Sequence, residues 1–109
     1  MRVKCVRDEH DGVRHALTIG AEYAVIGIEA GDYRVIDDCG GAFLFPPDLF
    51  TVVDGRRPDD WVSEMADGVE YAYPPELNEV GFFEDLHERV PEAVRAFSLY
   101  LNRRLGWVA

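Results

Sequence analysis

The spacing of hydrophobic residues changes once along the chain and divides it into a strand-rich part and a helical end. The stretch 22–29 is rich in β-branched residues and is followed by the turn Ala30-Gly31-Asp32, which predicts a hairpin with 33–36. The pair Pro46-Pro47 followed by Asp48 predicts a short 3₁₀ turn, because proline fits the first turn of a helix but cannot continue a central strand. Further strands are predicted at 3–6, 13–18, 42–45 and 51–53.

The chain resembles itself at an offset of 28 residues. Phe43 and Phe45, followed by Pro46-Pro47, match Tyr71 and Tyr73, followed by Pro74-Pro75. Aromatic residues two apart on a strand project to one face, and the proline pair then ends the ladder. Both copies are therefore predicted to form strand, turn, strand and short helical turn, whether the similarity is a true repeat or a coincidence of two hairpins.

Near the C-terminus the apolar residues recur at helical spacing. Their positions are Val90, Val94, Phe97, Leu101 and Leu105, which form one stripe of an α-helix. Pro91 fits the first helical position, and Gly106 stands where a left-handed residue commonly ends a helix. These signals predict a helix over 91–105.

Together the elements predict an α+β fold in a single domain, 1–109. We expect an SH3-like antiparallel β-barrel at 1–54, since strand, hairpins, 3₁₀ turn and strand follow one another in that order. An acidic, aromatic segment then covers 55–90, with an added β-hairpin around 60–73. The C-terminal helix at 91–105 is expected to pack across the sheet.

The composition fits one compact domain that does not cross a membrane. The 109 residues are 48% hydrophobic and 29% charged. They contain no apolar run long enough for a membrane helix, and the first seven residues lack the apolar stretch of a signal peptide. Cys5 and Cys39 do not form a CxxC motif and fit a reducing compartment. A cytoplasmic location is therefore expected.

Negative charge is concentrated in one part of the chain. The net charge is -10, and residues 59–92 contain eleven acidic residues against the single base Arg89. This balance disfavours direct binding to nucleic acid. The same segment contains five aromatic residues, whereas disordered acidic runs are poor in aromatics. A folded acidic surface is predicted.

The acidic, aromatic segment is the leading candidate for a binding surface. Interfaces favour Trp and Tyr at their centre, and surrounding acids speed association with a basic partner. The predicted anchors are Trp61, Tyr71 and Tyr73, and the predicted steering charges are Glu70, Glu76 and Glu84. The partner would be a basic protein such as a toxin or nuclease. The alternative is that these aromatics belong to the core and the acids only aid solubility.

Signals for catalysis are weak, and no cofactor is expected. The adjacent acid pairs should face apart, and Ser63 and Ser98 lack a nucleophile motif. Glu84 and His87 lie three apart on a predicted helix and would face one metal ion, so a small metal-assisted hydrolase is one alternative. A DNA-mimic regulator with regularly spaced carboxylates is another.

Two segments resemble small bacterial SH3-like proteins. The first is Leu17-Thr18-Ile19-Gly20 with Tyr23 and Val25, continued by Tyr33 to Asp38. The second is Pro74-Pro75-Glu76-Leu77-Asn78 with Gly81-Phe82-Phe83-Glu84-Asp85. Some proteins of this kind resemble immunity partners of bacterial toxins. The resemblance, over residues 17–88, implies an SH3-like fold and a role as an inhibitor, and it transfers no site residue.

Overall fold

The computed structural model describes residues 1–107, and these form nine β-strands and two α-helices. The strands are β1 (Arg2–Cys5), β2 (Glu9–His10), β3 (Val13–Arg14), β4 (Glu22–Glu29), β5 (Asp32–Ile36), β6 (Ala42–Phe45), β7 (Phe50–Asp54), β8 (Val62–Ala66) and β9 (Val69–Tyr73). The helices are α1 (Phe82–His87) and α2 (Pro91–Tyr100), and 3₁₀ turns at Pro47–Leu49 and Pro75–Leu77 follow β6 and β9. The predicted α+β class is confirmed.

One antiparallel sheet contains seven of the strands. Its order is β6-β5-β4-β1-β7, and β9 also pairs with β4 while β8 pairs with β9. β4 can hold two neighbours on one side because it is eight residues long: its first half pairs with β1, and Ile28 near its end pairs with Ala72 of β9. β2 and β3 form a separate two-stranded sheet.

The sheet does not close into the barrel that was predicted. Among residues 1–107, β6 and β7 stand at the two ends of the main strand order, and no ladder joins them. The chain between them is the 3₁₀ turn with Pro46 and Pro47, which have no N–H to donate to a ladder. The predicted strand at 13–18 is also wrong beyond Arg14. There Leu17 is buried, and its N–H donates to the carbonyl oxygen of His15 and not to a carbonyl of a neighbouring strand.

The hydrophobic core consists of two clusters. The first contains Val25 and Ile28 of β4, and the second contains Ile26 of the same strand and packs against the helices. A register shift between Val25 and Gly27 interrupts the alternation of β4. The sheet therefore contributes side chains to both clusters, and α1 and α2 cover only the second.

The C-terminal helix packs on the sheet as expected. Ala93, Phe97 and Tyr100 are buried in the second cluster. The α-helix ends at Tyr100, and the predicted remainder continues as a π-helical turn, Leu101–Leu105. Gly106 follows in the left-handed conformation, with φ +68°, as predicted. Within residues 1–107, no helix is long and apolar enough to cross a membrane.

The two copies of the internal similarity have the same local structure. In the first copy β5, β6 and Pro47–Leu49 follow one another, and in the second β8, β9 and Pro75–Leu77 do so. β6 and β9, like the two 3₁₀ turns, correspond at the offset of 28 residues. The predicted order of strand, turn, strand and helical turn is confirmed for both.

Candidate functional site

The β8–β9 hairpin is attached to the sheet along one strand and open along the other. Its register runs from Val62 opposite Tyr73 to Ala66 opposite Val69. At the tip, Gly68 has φ +79°, a conformation that glycine adopts readily. β9 joins the main sheet through β4, whereas all five residues of β8 are exposed.

The hairpin has two sides, and the predicted site residues are divided between them. Neighbouring residues of a strand point to opposite faces, so Glu70 and Tyr71 face apart. Tyr71 shares its side with Tyr73, which packs against the helices, and it lies opposite Glu64 in the register. Glu70 shares the other side with Ala72, which belongs to the first cluster. The predicted residues therefore do not form one continuous surface.

On the side of the first cluster, Trp61 and Glu70 make contacts within the chain. Trp61 is half-buried against the first cluster, and the guanidinium of Arg57 lies 5.9 Å from its ring centroid. Arg57 Nη2 donates to Glu70 Oε1 at 2.9 Å, and Ser63 Oγ donates to Glu70 Oε2 at 3.2 Å. The bond from Arg57 lowers the pKa of Glu70. The charge of Glu70 is thus balanced internally.

Tyr73 is a core residue. Its predicted role as an anchor required a position on the surface, and it does not lie there. It is 7% exposed, and its ring packs against Phe83 at 5.3 Å between centroids. Its hydroxyl accepts from Nε of the buried Arg34 at 3.0 Å and donates to Glu29 Oε1 at 2.8 Å. Burial raises the pKa of Tyr73. The cause is the position of α1, which covers Tyr73 and leaves Tyr71 half-buried.

Glu76 belongs to an ion-pair cluster at the base of the hairpin. Arg104, in the π-helical turn, donates to Glu76 Oε1 and Oε2 at 2.9 Å each and to Asp60 Oδ1 at 3.1 Å. These bonds lower the pKa of Glu76 and of Asp60 and raise the pKa of Arg104. The cluster joins the chain before β8 to the turn after β9 and to the C-terminal helix.

Glu84 is exposed on α1, and His87 at the end of α1 is already engaged. His87 Nε2 lies 3.0 Å from the carbonyl oxygen of Ala42, so this nitrogen carries the hydrogen and donates. The His87 ring also stacks on Phe43 at 4.9 Å between centroids. Within residues 1–107, no three His, Cys, Asp or Glu side chains come together as metal ligands. The pair Glu84 and His87 therefore gains no third ligand of these types there.

The contact between Phe43 and His87 belongs to a groove that the sequence did not indicate. The groove lies between β6 and the two helices and has a volume of about 410 Å³. Phe43 of β6 lies at the wall of the groove and is 45% exposed, although Phe45, two residues later, is buried. In the alternation of β6, Phe43 and Phe45 share one face, but the pattern does not show that Phe45 packs into the first cluster while Phe43 stays exposed beside His87.

The hairpin therefore offers different chemistry on its two sides. Trp61, Glu70 and Glu76 are held by contacts within the fold, and Tyr73 is buried. Tyr71 and Glu64 remain on the side of the hairpin that the helices cover only in part. This arrangement suits recognition by contact and charge. Comparisons with protein families, with curated proteins and with solved structures found no match.

Proposed function

We propose that the protein is a non-catalytic binding domain whose β8–β9 hairpin recognises a basic protein. The observation that carries the proposal is the exposure of β8 along its whole length. β8 is exposed on both faces and unpaired along one edge. Strands of this kind commonly bind another protein chain. The hairpin also contains acidic and aromatic residues of the 55–90 segment, namely Glu64, Asp67, Glu70, Tyr71 and Tyr73.

The charge distribution supports a basic partner. Of the eleven acidic residues in 59–92, three form ion pairs, namely Asp60, Glu70 and Glu76. The other eight form none with residues 1–107. They are Asp59, Glu64, Asp67, Glu79, Glu84, Asp85, Glu88 and Glu92. Unpaired carboxylates on a surface raise the rate of association with a cationic protein and repel anionic ones.

Apolar groups beside these charges support a protein as the partner. Tyr71 is half-buried, Val62 on the same side of the hairpin is 46% exposed, and Met65 on the side of Glu70 is 68% exposed. Tyrosine provides large contact area with few rotatable bonds, which is why it is enriched in interfaces. In this proposal Tyr71 takes the role of anchor, with Glu64 and Glu84 as steering charges.

The resemblance to immunity proteins suggests what the basic partner is. It would be a toxin or nuclease whose basic surface this protein covers. An SH3-like architecture is supported by the succession of β4, β5, β6, 3₁₀ turn and β7 around β1. A reducing compartment such as the cytoplasm is supported by the free thiols of Cys5 and Cys39.

Immobilised protein incubated with lysate of the source organism tests the proposal. We expect one basic protein to be retained at low salt and released as salt rises, because screening weakens the attraction. Glu64→Lys and Tyr71→Ala should each abolish retention. Glu9→Lys is the matched control, since it makes the same change of charge at an exposed position of the separate β2–β3 sheet and should leave retention unchanged.

The variants also decide whether the hairpin is the binding surface. If Glu64→Lys and Tyr71→Ala retain the same basic protein as the native chain, the hairpin does not bind it. If Glu9→Lys reduces retention equally, only the net charge matters and the proposal fails. Far-ultraviolet circular dichroism of each variant confirms that lost retention does not reflect unfolding.

A further inference from the structure

The groove beside β6 has a lining suited to a small ligand. Its apolar wall comes from Ala42, Phe43, Leu86, Val94 and Phe97. Gly40, Gly41, His87, Arg89 and Ser98 complete the lining. Ligand sites commonly combine an apolar wall with a few polar groups in a volume of roughly 300–1,000 Å³, and this groove, at about 410 Å³, is within that range.

Ten residues line the groove, and Arg89 is the one with a permanent charge. It is also the only base within residues 59–92. Its guanidinium forms no ion pair with any carboxylate of residues 1–107, although acids outnumber bases in the chain. Arg104, near the C-terminal end of the helical segment, is by contrast bonded to two carboxylates. The Arg89 side chain is free to bind something else.

The backbone conformation of Arg89 is one that favours glycine over arginine. The N–H of Arg89 is donated to Leu86 O and the N–H of Val90 to Asp85 O, which is the Schellman arrangement at the end of α1. Arg89 occupies the left-handed position of this motif, with φ +62°. Glycine is preferred there because a Cβ is strained, and glycine stands at the corresponding position after the C-terminal helix, Gly106.

We propose that the groove binds a small apolar carboxylate, with Arg89 as the residue that binds the carboxylate group. The guanidinium can donate two parallel hydrogen bonds to one carboxylate. The apolar body of the ligand would pack against Leu86, Val94 and Phe97, and Ser98 adds a hydroxyl to the same wall. This proposal concerns a surface other than the hairpin and does not depend on the proposed function.

The charge of the groove also predicts what it rejects. An amine with the same apolar body would face Arg89 without a counter-charge in the lining, so it should not bind there. Phenylacetate and phenethylamine have the same ring and opposite charges. They therefore form a matched pair of probes that separates recognition of the carboxylate from simple burial of the ring.

Titration of the full-length protein with phenylacetate, followed by ¹H–¹⁵N NMR, tests the proposal. We expect saturable shifts of the amides of Gly41, Arg89 and Ser98, and none of these shifts with phenethylamine. Arg89→Gly should weaken phenylacetate binding about tenfold, because a charge-assisted pair is lost. Arg89→Lys keeps the charge but cannot donate two parallel hydrogen bonds, so its affinity should lie between those of the native chain and Arg89→Gly. Arg95→Gln removes an exposed arginine of α2 outside this groove and should bind like the native chain.

Stability supplies a second, independent measurement. Arg89→Gly should raise the midpoint of urea denaturation while it weakens the binding of phenylacetate, since glycine relieves the left-handed backbone. If Arg89 had only a structural role, Arg89→Gly would lower both the urea midpoint and the affinity for phenylacetate. The proposal is overturned if phenylacetate leaves the groove amides unshifted up to its solubility limit. Equal shifts with phenethylamine, or unchanged affinity of Arg89→Gly, would also overturn it.

Discussion

Gly27 and Tyr73 provide the sharpest test of the packing between the sheet and the helices. A Cβ on Gly27 would overlap Cε1 and Cδ1 of the Tyr73 ring and lie 3.0 Å from Cζ. The ring cannot move away cheaply, because Tyr73 is buried against Phe83 and its hydroxyl is bonded to Arg34 and Glu29. We therefore expect Gly27→Ala to be strongly destabilising although it adds a single methyl group.

The magnitude follows from two contributions. Overpacking a well-packed core costs about 1–3 kcal/mol. If the ring is displaced, the hydrogen bond between Tyr73 and the buried charge of Arg34 is lost, which costs roughly another 1.5–3 kcal/mol. The expected loss for Gly27→Ala is the sum, about 2.5–6 kcal/mol. Gly55→Ala is the matched control, since the nearest atom to its Cβ is Val52 Cγ1 at 3.7 Å, an ordinary contact.

A double-mutant cycle isolates the contact between the two residues. Tyr73→Val shortens the side chain, and the same Gly27→Ala substitution in that background should cost less than about 1 kcal/mol. Tyr73→Phe keeps the ring, so Gly27→Ala should remain costly there. The free energy of unfolding is measured by urea denaturation at neutral pH. Additive effects of Gly27→Ala and Tyr73→Val, or a Gly27→Ala variant as stable as Gly55→Ala, would refute the reasoning.

Two further predictions concern pH. Because Arg104 lowers the folded-state pKa of Glu76 and Asp60, their contribution to stability is present above the unfolded pKa of about 4 and is lost as pH falls through the folded values. The free energy of unfolding, measured by urea denaturation from about pH 7 to about pH 2, should therefore fall less for Arg104→Gln than for the native chain. Parallel curves of the two proteins would contradict the pairing. Burial raises the pKa of Tyr100 to about 12, so stability should fall as pH rises above the unfolded tyrosine value of about 10. Titration of tyrosine absorbance in Tyr100→Phe should show one ionisation fewer near that pH than the native chain, and an unchanged curve would contradict the burial.

Local sequence patterns predicted the elements that depend on local preferences. β4 has the predicted bounds because β-branched residues fill it and a turn follows it. The C-terminal helix begins at Pro91 and ends before Gly106, as the apolar period and the end signals indicated. The two proline pairs likewise mark the 3₁₀ turns after β6 and β9.

The features that the sequence did not predict depend on contacts between distant residues. Tyr71 and Tyr73 are equivalent in the pattern, and only the position of α1 buries one of them. Glu70 and Glu76 looked like free surface charges, but their partners Arg57 and Arg104 lie 13 and 28 residues away in the chain. Closure of the sheet into a barrel likewise depends on whether its end strands meet, which no local pattern specifies.

The division of the acidic residues into paired and unpaired sets links the fold to the proposed function. Asp60 precedes β8 and Glu76 follows β9, and Arg104 binds both, so the base of the hairpin is held against the end of the C-terminal helix. Glu64 and Asp67, further along the hairpin, form no ion pair with residues 1–107. The same kind of side chain therefore fixes the hairpin at its base and leaves charge free towards its tip. A surface that recognises a basic protein needs both properties, because a charge attracts a partner at any orientation, whereas a defined contact at Tyr71 requires a hairpin held in place.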